Sequence, residues 1–423
     1  MNTFVVAGTH SGVGKTTIAA GLMAALRRRR PVQAFKAGPD FIDPSFHALA
    51  TGRPSRNLDL WMCGRETVLR LFRRVQSSIN IIEGSMGLFD GALGGASSTA
   101  ELAKLLDAPV VLVLDAQAMA QSSAALIHGF ATYDPKLRLA GVIFNRVSSS
   151  GHYEYLKKFS PVPSLGWVAL DPSIAIPERH LGLVPAVENA PDVHRLGKAV
   201  ARNLDLERLL RQTRTRGITV PSVSPAPPRA RIGYAQDEAF NFTYEDNLDL
   251  LRQAGAEMVP FSLLRKELPD VDALYLGGGF PEVHRIPRHP RLREAVRAGM
   301  PVYAECGGLM YLVGQGLLPG RIEMTNRLQN FGYAEAVALR DTVAVRRGQK
   351  VRGHEFHYSR WIRPRAAAVY RVGMRQEGYA RGNIHASYLH LHFGGAPACA
   401  PRLVDHAMLW RSRRSAGPAG SVL

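Results

Sequence analysis

Three stretches of the second half of this chain carry groups suited to chemistry on an amide. Ala304-Glu-Cys306-Gly307-Gly308-Leu-Met-Tyr311 follows a strand-like run and opens a helical pattern. A cysteine on such a sharp strand-to-helix turn stands near the positive end of a helix, which favours the thiolate. The glycine after it allows close backbone approach, and the Gly307 N–H can help hold an oxyanion. Leu276-Gly277-Gly278-Gly279-Phe-Pro-Glu282 is a second glycine loop after a strand, with Gly278 and Gly279 as further oxyanion donors. Late in the chain, Ser387-Tyr-Leu-His390-Leu-His392 offers two histidines, one of which would be the base for Cys306. Alone, a buried cysteine is usually a small hydrophobe, and a histidine in an apolar run a core residue. Cysteine, glycine loop and late histidine together imply a glutamine-hydrolysing site.

A different chemistry sits at the other end. Gly8-Thr-His-Ser-Gly12-Val-Gly14-Lys15-Thr16-Thr17 follows a strand and opens a helix, the setting of a phosphate-binding loop. Gly12 and Gly14 let the backbone bend so that its N–H groups face phosphate. Lys15 would hold the terminal phosphates, with Thr16 on magnesium and Thr17 closing the turn. The motif is stretched: five residues rather than four separate Gly8 from Gly14, and Thr9 stands where the first glycine is usual. Two acidic segments accompany it. Lys36, Asp40 and Asp43 share one turn-rich loop, Phe35-Lys-Ala-Gly-Pro-Asp-Phe-Ile-Asp-Pro44. Glu83 ends the apolar run Ile79–Ile82, followed by Asp90 in Gly84-Ser-Met-Gly-Leu-Phe-Asp-Gly91. Ligands of parallel sheets bind at strand C-termini, and an acid there can complete a magnesium shell.

Short apolar runs at Phe4–Ala7, Ile79–Ile82, Val110–Leu114 and Leu139–Phe144, separated by helical stretches such as Thr16–Arg30, predict an α/β unit with a mostly parallel sheet. A Pro- and Ser-rich stretch follows, and a second α/β series begins at Ala230 and continues through Ala273–Leu276 and Pro301–Ala304. The expected division is residues 1–215 for ATP binding, 216–229 as linker, 230–412 for amide transfer and 413–423 as a disordered tail. The chain has 423 residues, with 53 Lys and Arg against 35 Asp and Glu, a formal charge of +18. That surplus suits an anionic partner, but no nucleic-acid module with interleaved aromatics accompanies it. No apolar run reaches the roughly 18 residues of a membrane span, and the early strand leaves no place for a cleavable leader. Cys63, Cys306 and Cys399 fit neither a zinc motif nor a disulfide framework. The expected setting is the reducing cytoplasm, without membrane or nucleic-acid partners.

Taken in order, these segments resemble the cobyrinate and hydrogenobyrinate a,c-diamide synthase family over nearly the whole chain. Pro177–Leu183, Ala239-Phe-Asn-Phe242 and Gly353-His-Glu-Phe-His-Tyr-Ser359 add to the match. The first half is similar to the dethiobiotin-synthetase type of P-loop domain, the second to class I, triad-type glutamine amidotransferases. The resemblance implies ATP and Mg²⁺ as cofactors and a corrin-type tetrapyrrole, glutamine and ATP as substrates, with a homodimer as one open assembly. Glutamine would be hydrolysed at Cys306, and ATP would phosphorylate a substrate carboxylate that ammonia then converts to an amide. His390 matches the family's base, with His392 second. Asp40 and Glu83, with Thr16, match acids associated with the metal, and Lys36, Asp40, Asp43 and Asp90 those associated with substrate or intermediate. Phe41 and Ile42 would lie near the tetrapyrrole carboxylate. Ordinary class I amidotransferases carry a glutamate two residues after the histidine; that place is His392 here, an absence common in this group, and Glu355 is one candidate to orient the base.

Nickel-sirohydrochlorin a,c-diamide synthase and cobyric acid synthase share this architecture and stand as alternative activities. A partition-type ATPase binding nucleic acid or membrane is the alternative of another class. It leaves Cys306 unexplained, and His10 stands where such proteins usually carry a second lysine.

Overall fold

Aliphatic side chains dominate most of seven short runs of the first half, and the central runs are buried on both faces, which is how strands of a covered parallel sheet read. In the computed structural model they are Asn2–Gly8, Val32–Ala37, Arg56–Leu58, Ile79–Glu83, Val110–Asp115, Leu139–Val147 and Ser164–Ala169. The structure describes residues 1–92, 97–174, 176, 178–179, 182–183, 186, 188, 190–217, 227–362 and 367–415. All pairings in the seven-stranded sheet are parallel. In spatial order the strands are third, second, fourth, first, fifth, sixth and seventh. The first strand therefore lies where the winding reverses, the position at which open α/β sheets bind ligands.

The helix that follows it, Lys15–Leu26, is shorter than the Thr16–Arg30 pattern suggested. Its apolar residues bury one side of the sheet, whereas Arg28–Arg30 have nothing apolar to cover and leave the helix as exposed turns. At Gly21 this helix meets Val193–Ala201 closely: a Cβ there would fall 2.4 Å from a methyl of Val200. Gly197 on the second helix packs as closely on Ala24, where a Cβ would come within 3.0 Å. The chain thus divides into two units, Met1–Pro221 and Ser222–Leu423. The proline-rich stretch 218–226, parts of Pro177–Leu183 and residues 416–423 lie outside the described residues.

The second unit is built on a six-stranded sheet ordered Ala256–Phe261, Ala230–Ala235, Ala273–Leu276, Val302–Glu305, Ile384–Ser387 and Tyr379–Arg381. Its first five strands are parallel and the last antiparallel. A five-stranded antiparallel sheet accompanies it, pairing Lys350–His357 with both Asn330–Ala338 and His390–Leu391. The helix Cys399–Ser415 takes in the first three residues of the tail expected at 413–423. Arg414 there bonds Asp270 at 2.8 Å, which ties the end of the helix to the loop before the strand Ala273–Leu276. Among the described residues no helix is long and apolar enough to cross a membrane.

Candidate functional site

The phosphate loop is shaped by Gly12 and Gly14, at φ 84° and 89°, a region that side-chain-bearing residues rarely adopt. Gly14 also has no room: a Cβ would lie 2.3 Å from the amide nitrogen of Asn145, which donates to the Val13 carbonyl at 2.8 Å. The neighbouring Arg146 donates to the Gly12 carbonyl at 3.0 Å and is ion-paired to Asp115. Asn145 and Arg146, at the end of a distant strand, thus brace the loop. Sequence reading did not single them out, and nothing in their local spacing does.

Lys15 is buried and its Nζ rests on the His10 carbonyl at 3.1 Å. Burial and the charge of Lys36 lower its pKa against the pull of Glu83, Asp43 and Asp90. Thr16 opens the helix, and its hydroxyl donates to Glu83 at 2.8 Å and lies 3.3 Å from Asp43. Thr17 is half-buried in the same turn. Lys36 stands beside Glu83 in the sheet register. Its buried ammonium is 2.6 Å from Asp43, 3.2 Å from Glu83 and 3.9 Å from Asp40. Burial works against that charge, but Asp43, Glu83 and Asp40 outweigh it and raise its pKa. Asp40 and Asp43 share one environment and move apart. Burial and the charge of Asp43 hold Asp40 protonated well above the usual carboxylate range. Asp43 is lowered despite burial by its contact with Lys36.

The acids thus divide differently from their order in sequence. Glu83 and Asp43 share Thr16, while Asp40 lies against Asp43, 3.9 Å from Lys36, and accepts from the Ile42 N–H at 2.8 Å. Phe41 and Ile42 are half-buried beside it. Asp90 is exposed and accepts from the Gly87 N–H at 2.9 Å, in a loop that touches the phosphate loop at Thr9. His47, not anticipated, is wholly buried and bonds Glu83 at 2.6 Å. It lies four residues after Asp43 on one helix, hence on one face, and that spacing was the available signal. A hydroxyl with converging carboxylates is a hard oxygen donor set of the kind Mg²⁺ takes when phosphates and water complete its shell.

In the second unit Cys306 leaves the strand Val302–Glu305 at φ 43° and caps the helix Gly307–Gly314. A non-glycine residue in that region is strained, and such strain collects at active sites. The Cys306 N–H donates to the Ser387 carbonyl at 2.8 Å. His390 is buried and hydrogen-bonded to Cys306. Burial would depress its imidazole, but the bond to Cys306 and the neighbouring Glu305 push its pKa up to about 10. His354 lies across the strand pair from His390 and stacks on it with ring centres 5.0 Å apart. Burial and His390 hold His354 well below its ordinary value.

His392, the second candidate base, is turned elsewhere. Its Nδ1 accepts from the Gly394 N–H at 3.1 Å and its Nε2 lies 3.6 Å from Asp246. Glu355 pairs with Arg375. Of the oxyanion donors, Gly307 and Gly279 adjoin, since a Cβ on Gly307 would lie 3.2 Å from the Gly279 nitrogen. Gly278 is a correction: its N–H donates to the Phe242 carbonyl at 3.0 Å, so it is engaged in a strand-like bridge instead of facing an oxyanion.

Glu377 supports the floor of this site. It is buried and accepts from the Ser387 hydroxyl at 2.6 Å and the Tyr388 N–H at 2.7 Å. Burial and the charge of Glu355 push its pKa up to about 7, from an ordinary 4.5. A carboxyl raised on folding favours the native state below its unfolded pKa, and that contribution disappears as pH rises through the folded value. Unfolding free energy should therefore fall by up to about 3 kcal/mol from this group between pH 4.5 and about 7. Glu377→Gln should flatten that dependence. Denaturant titrations of parent and variant across this range check it, and equal slopes would rule the account out.

Two family models match. A CobQ/CobB/MinD/ParA nucleotide binding domain covers residues 4–184, and a CobB/CobQ-like glutamine amidotransferase domain covers residues 231–398. The chain is 42% identical over 437 residues to a cobyrinate a,c-diamide synthase of Listeria monocytogenes serotype 4b, covering 93% of this chain and 96% of that one. It is 43% identical over 447 residues to the protein of the same name from Syntrophotalea carbinolica, covering 95% and 97%. To a hydrogenobyrinate a,c-diamide synthase of Streptomyces coelicolor it is 41% identical over 470 residues, covering 95% and 96%.

Proposed function

The chain belongs to the cobyrinate and hydrogenobyrinate a,c-diamide synthase family, and from that premise we propose how its own residues divide the work of ATP-dependent, glutamine-using amidation. The Cys306 elbow with His390 against it is the observation that carries the reading. The Cys306 thiolate attacks the side-chain carbonyl of glutamine, and the oxyanion is met by the N–H groups of Gly307 and Gly279. Ammonia leaves with a proton from His390, and water then cleaves the thioester to glutamate.

In the other unit a carboxylate of the tetrapyrrole attacks the terminal phosphate of ATP, giving an acyl phosphate and ADP. Ammonia displaces inorganic phosphate from that carbonyl and leaves an amide, and a second round converts the second carboxylate. A free carboxylate is a poor electrophile, so phosphorylation supplies the activation. Lys15 offsets charge on the transferring group. Thr16 with Glu83 and Asp43 would hold Mg²⁺, which supplies further charge neutralisation when bound. Lys36 fixes Asp43 and Glu83 in place, and Phe41, Ile42 and Asp40 border the carboxylate being activated. The positive surplus of the chain suits a substrate bearing many carboxylates. Three unpaired cysteines suit a cytoplasmic setting.

The test is direct. Purified protein is incubated with glutamine, Mg-ATP and cobyrinate, hydrogenobyrinate or nickel-sirohydrochlorin in turn, and product masses are read. Two successive acid-to-amide changes on a cobyrinate-type substrate are expected. Amidation of nickel-sirohydrochlorin alone would move the substrate to that branch, and no amide on any of them would overturn the proposal.

A further inference from the structure

A catalytic imidazole of the thiol or serine type is held by a carboxylate on the nitrogen away from the nucleophile. The position where such a carboxylate is usual, two residues after the base, is His392, and its ring is turned to Asp246 and the Gly394 N–H. Glu355 does not serve either. His354 is the residue directly opposite His390 in the antiparallel pair, so its neighbour Glu355 projects to the other face of the sheet. There it is ion-paired with Arg375.

One carboxylate does face the base. Glu305 is the last residue of the strand that delivers Cys306, is 1% exposed, and places Oε2 3.8 Å from His390 Nδ1. Three donors fix it: the Tyr303 hydroxyl at 2.5 Å and the Leu391 N–H at 2.9 Å on Oε1, and the Tyr275 hydroxyl at 3.1 Å on Oε2. Burial and Glu305 itself raise the pKa of both phenols well above the ordinary value, so each remains a donor. Leu391 is the residue after His390, so the carboxylate grips the backbone of the base as well as facing its ring.

We propose that Glu305 is the positioning residue of the glutamine site: it holds His390 through Nδ1, leaves the other ring nitrogen for Cys306, and supplies the triad carboxylate from the residue before the nucleophile. The inference rests on the reading of Cys306 and His390 as nucleophile and base. At 3.8 Å the two are within ion-pair range, and glutamine binding would draw them to hydrogen-bond length. Cys306, Glu305, His354 and His357 surround His390, and Tyr275, Tyr303, Tyr370 and Cys399 surround Glu305. The raised pKa of His390 is the electrostatic counterpart of this arrangement.

Glu305→Gln removes the charge at nearly constant volume. Its glutamine-dependent kcat should fall by about 10²–10⁴-fold, while amidation supplied with free ammonia continues and reports a folded protein. The rate at which iodoacetamide alkylates Cys306 should shift to higher pH, because the imidazolium that stabilises the thiolate is weakened. Glu305→Asp, which keeps the charge, should recover part of both. If the glutamine variant does not fold, Tyr303→Phe loosens the carboxylate without removing it and should move the alkylation profile in the same direction. An alkylation profile that superimposes on the parent's in the folded variant would mean Glu305 is structural and would overturn the proposal. Glutaminase activity surviving in Cys306→Ala would instead remove the underlying reading.

Discussion

Cys306→Ala is expected to lose glutamine-dependent amidation by about 10⁴-fold or more, while the same protein supplied with ammonia still makes the amide. Without the thiol no thioester forms, and losing the nucleophile of a constellation that acts as a unit costs nearly as much as losing all of it. The substitution is mild in every other respect. Alanine keeps the Cβ that already tolerates φ 43°, so the elbow carries no new strain. The Cys306 N–H still reaches the Ser387 carbonyl. Cys306 is itself 7% exposed, and the one-atom cavity left by its sulfur should cost little stability. Product mass with glutamine and then with ammonium salt checks this in one preparation. Retained glutamine-dependent product would remove Cys306 from the chemistry.

Lys15→Met is expected to fail in the complementary way, by about 10²–10⁴-fold with either nitrogen source. Its ammonium is held 3.1 Å from the His10 carbonyl, across the loop where the terminal phosphates would sit. Burial and Lys36 lower its pKa against the pull of Glu83, Asp43 and Asp90. Methionine fills the same space, so the loop made by Gly12 and Gly14 should keep its shape. Losing that cation leaves Lys36 as a poor substitute, since it is engaged with Asp43 and Glu83. Ammonia-dependent amidation with normal kcat would refute this role. The two variants also separate the halves of the reaction: one is restored by ammonia and the other is not.

The parts of these sites that could be read from the chain are those whose geometry is local. A glycine loop between strand and helix, or a cysteine before two glycines, carries its backbone shape in adjacent residues. The phosphate loop and the Cys306 elbow are of this kind. Partners brought in by sheet order were not visible. Asn145 meets Val13 only because the sixth strand of the sheet runs beside the fifth and the fifth beside the first. The engagement of the Gly278 N–H depends on Phe242 arriving antiparallel to it, which no spacing records. Spacing alone leaves His392 and His390 equivalent in an apolar run; the resemblance put His390 first, and the structure places Cys306 on His390 and Asp246 beside His392. Arg414 falls in the stretch expected to be a disordered tail because its acidic partners, Asp270 and Asp272, lie over a hundred residues earlier.

The close meeting of Gly21 with Val200 has a consequence for how the protein is made. The helix that begins at the phosphate loop is backed by Val193–Ala201, and the first strand is bonded along its rim by Thr213 and Thr215. Domains made on the ribosome acquire structure from the N-terminus onward, yet here the earliest residues wait for some of the last of their own unit. A nascent chain carrying the glycine loop, Lys15 and Glu83 but halted before Gly197 has every phosphate-binding residue and no wall behind the helix that presents them. Nucleotide binding during synthesis should therefore appear late and abruptly, as that wall emerges, instead of growing with each strand added.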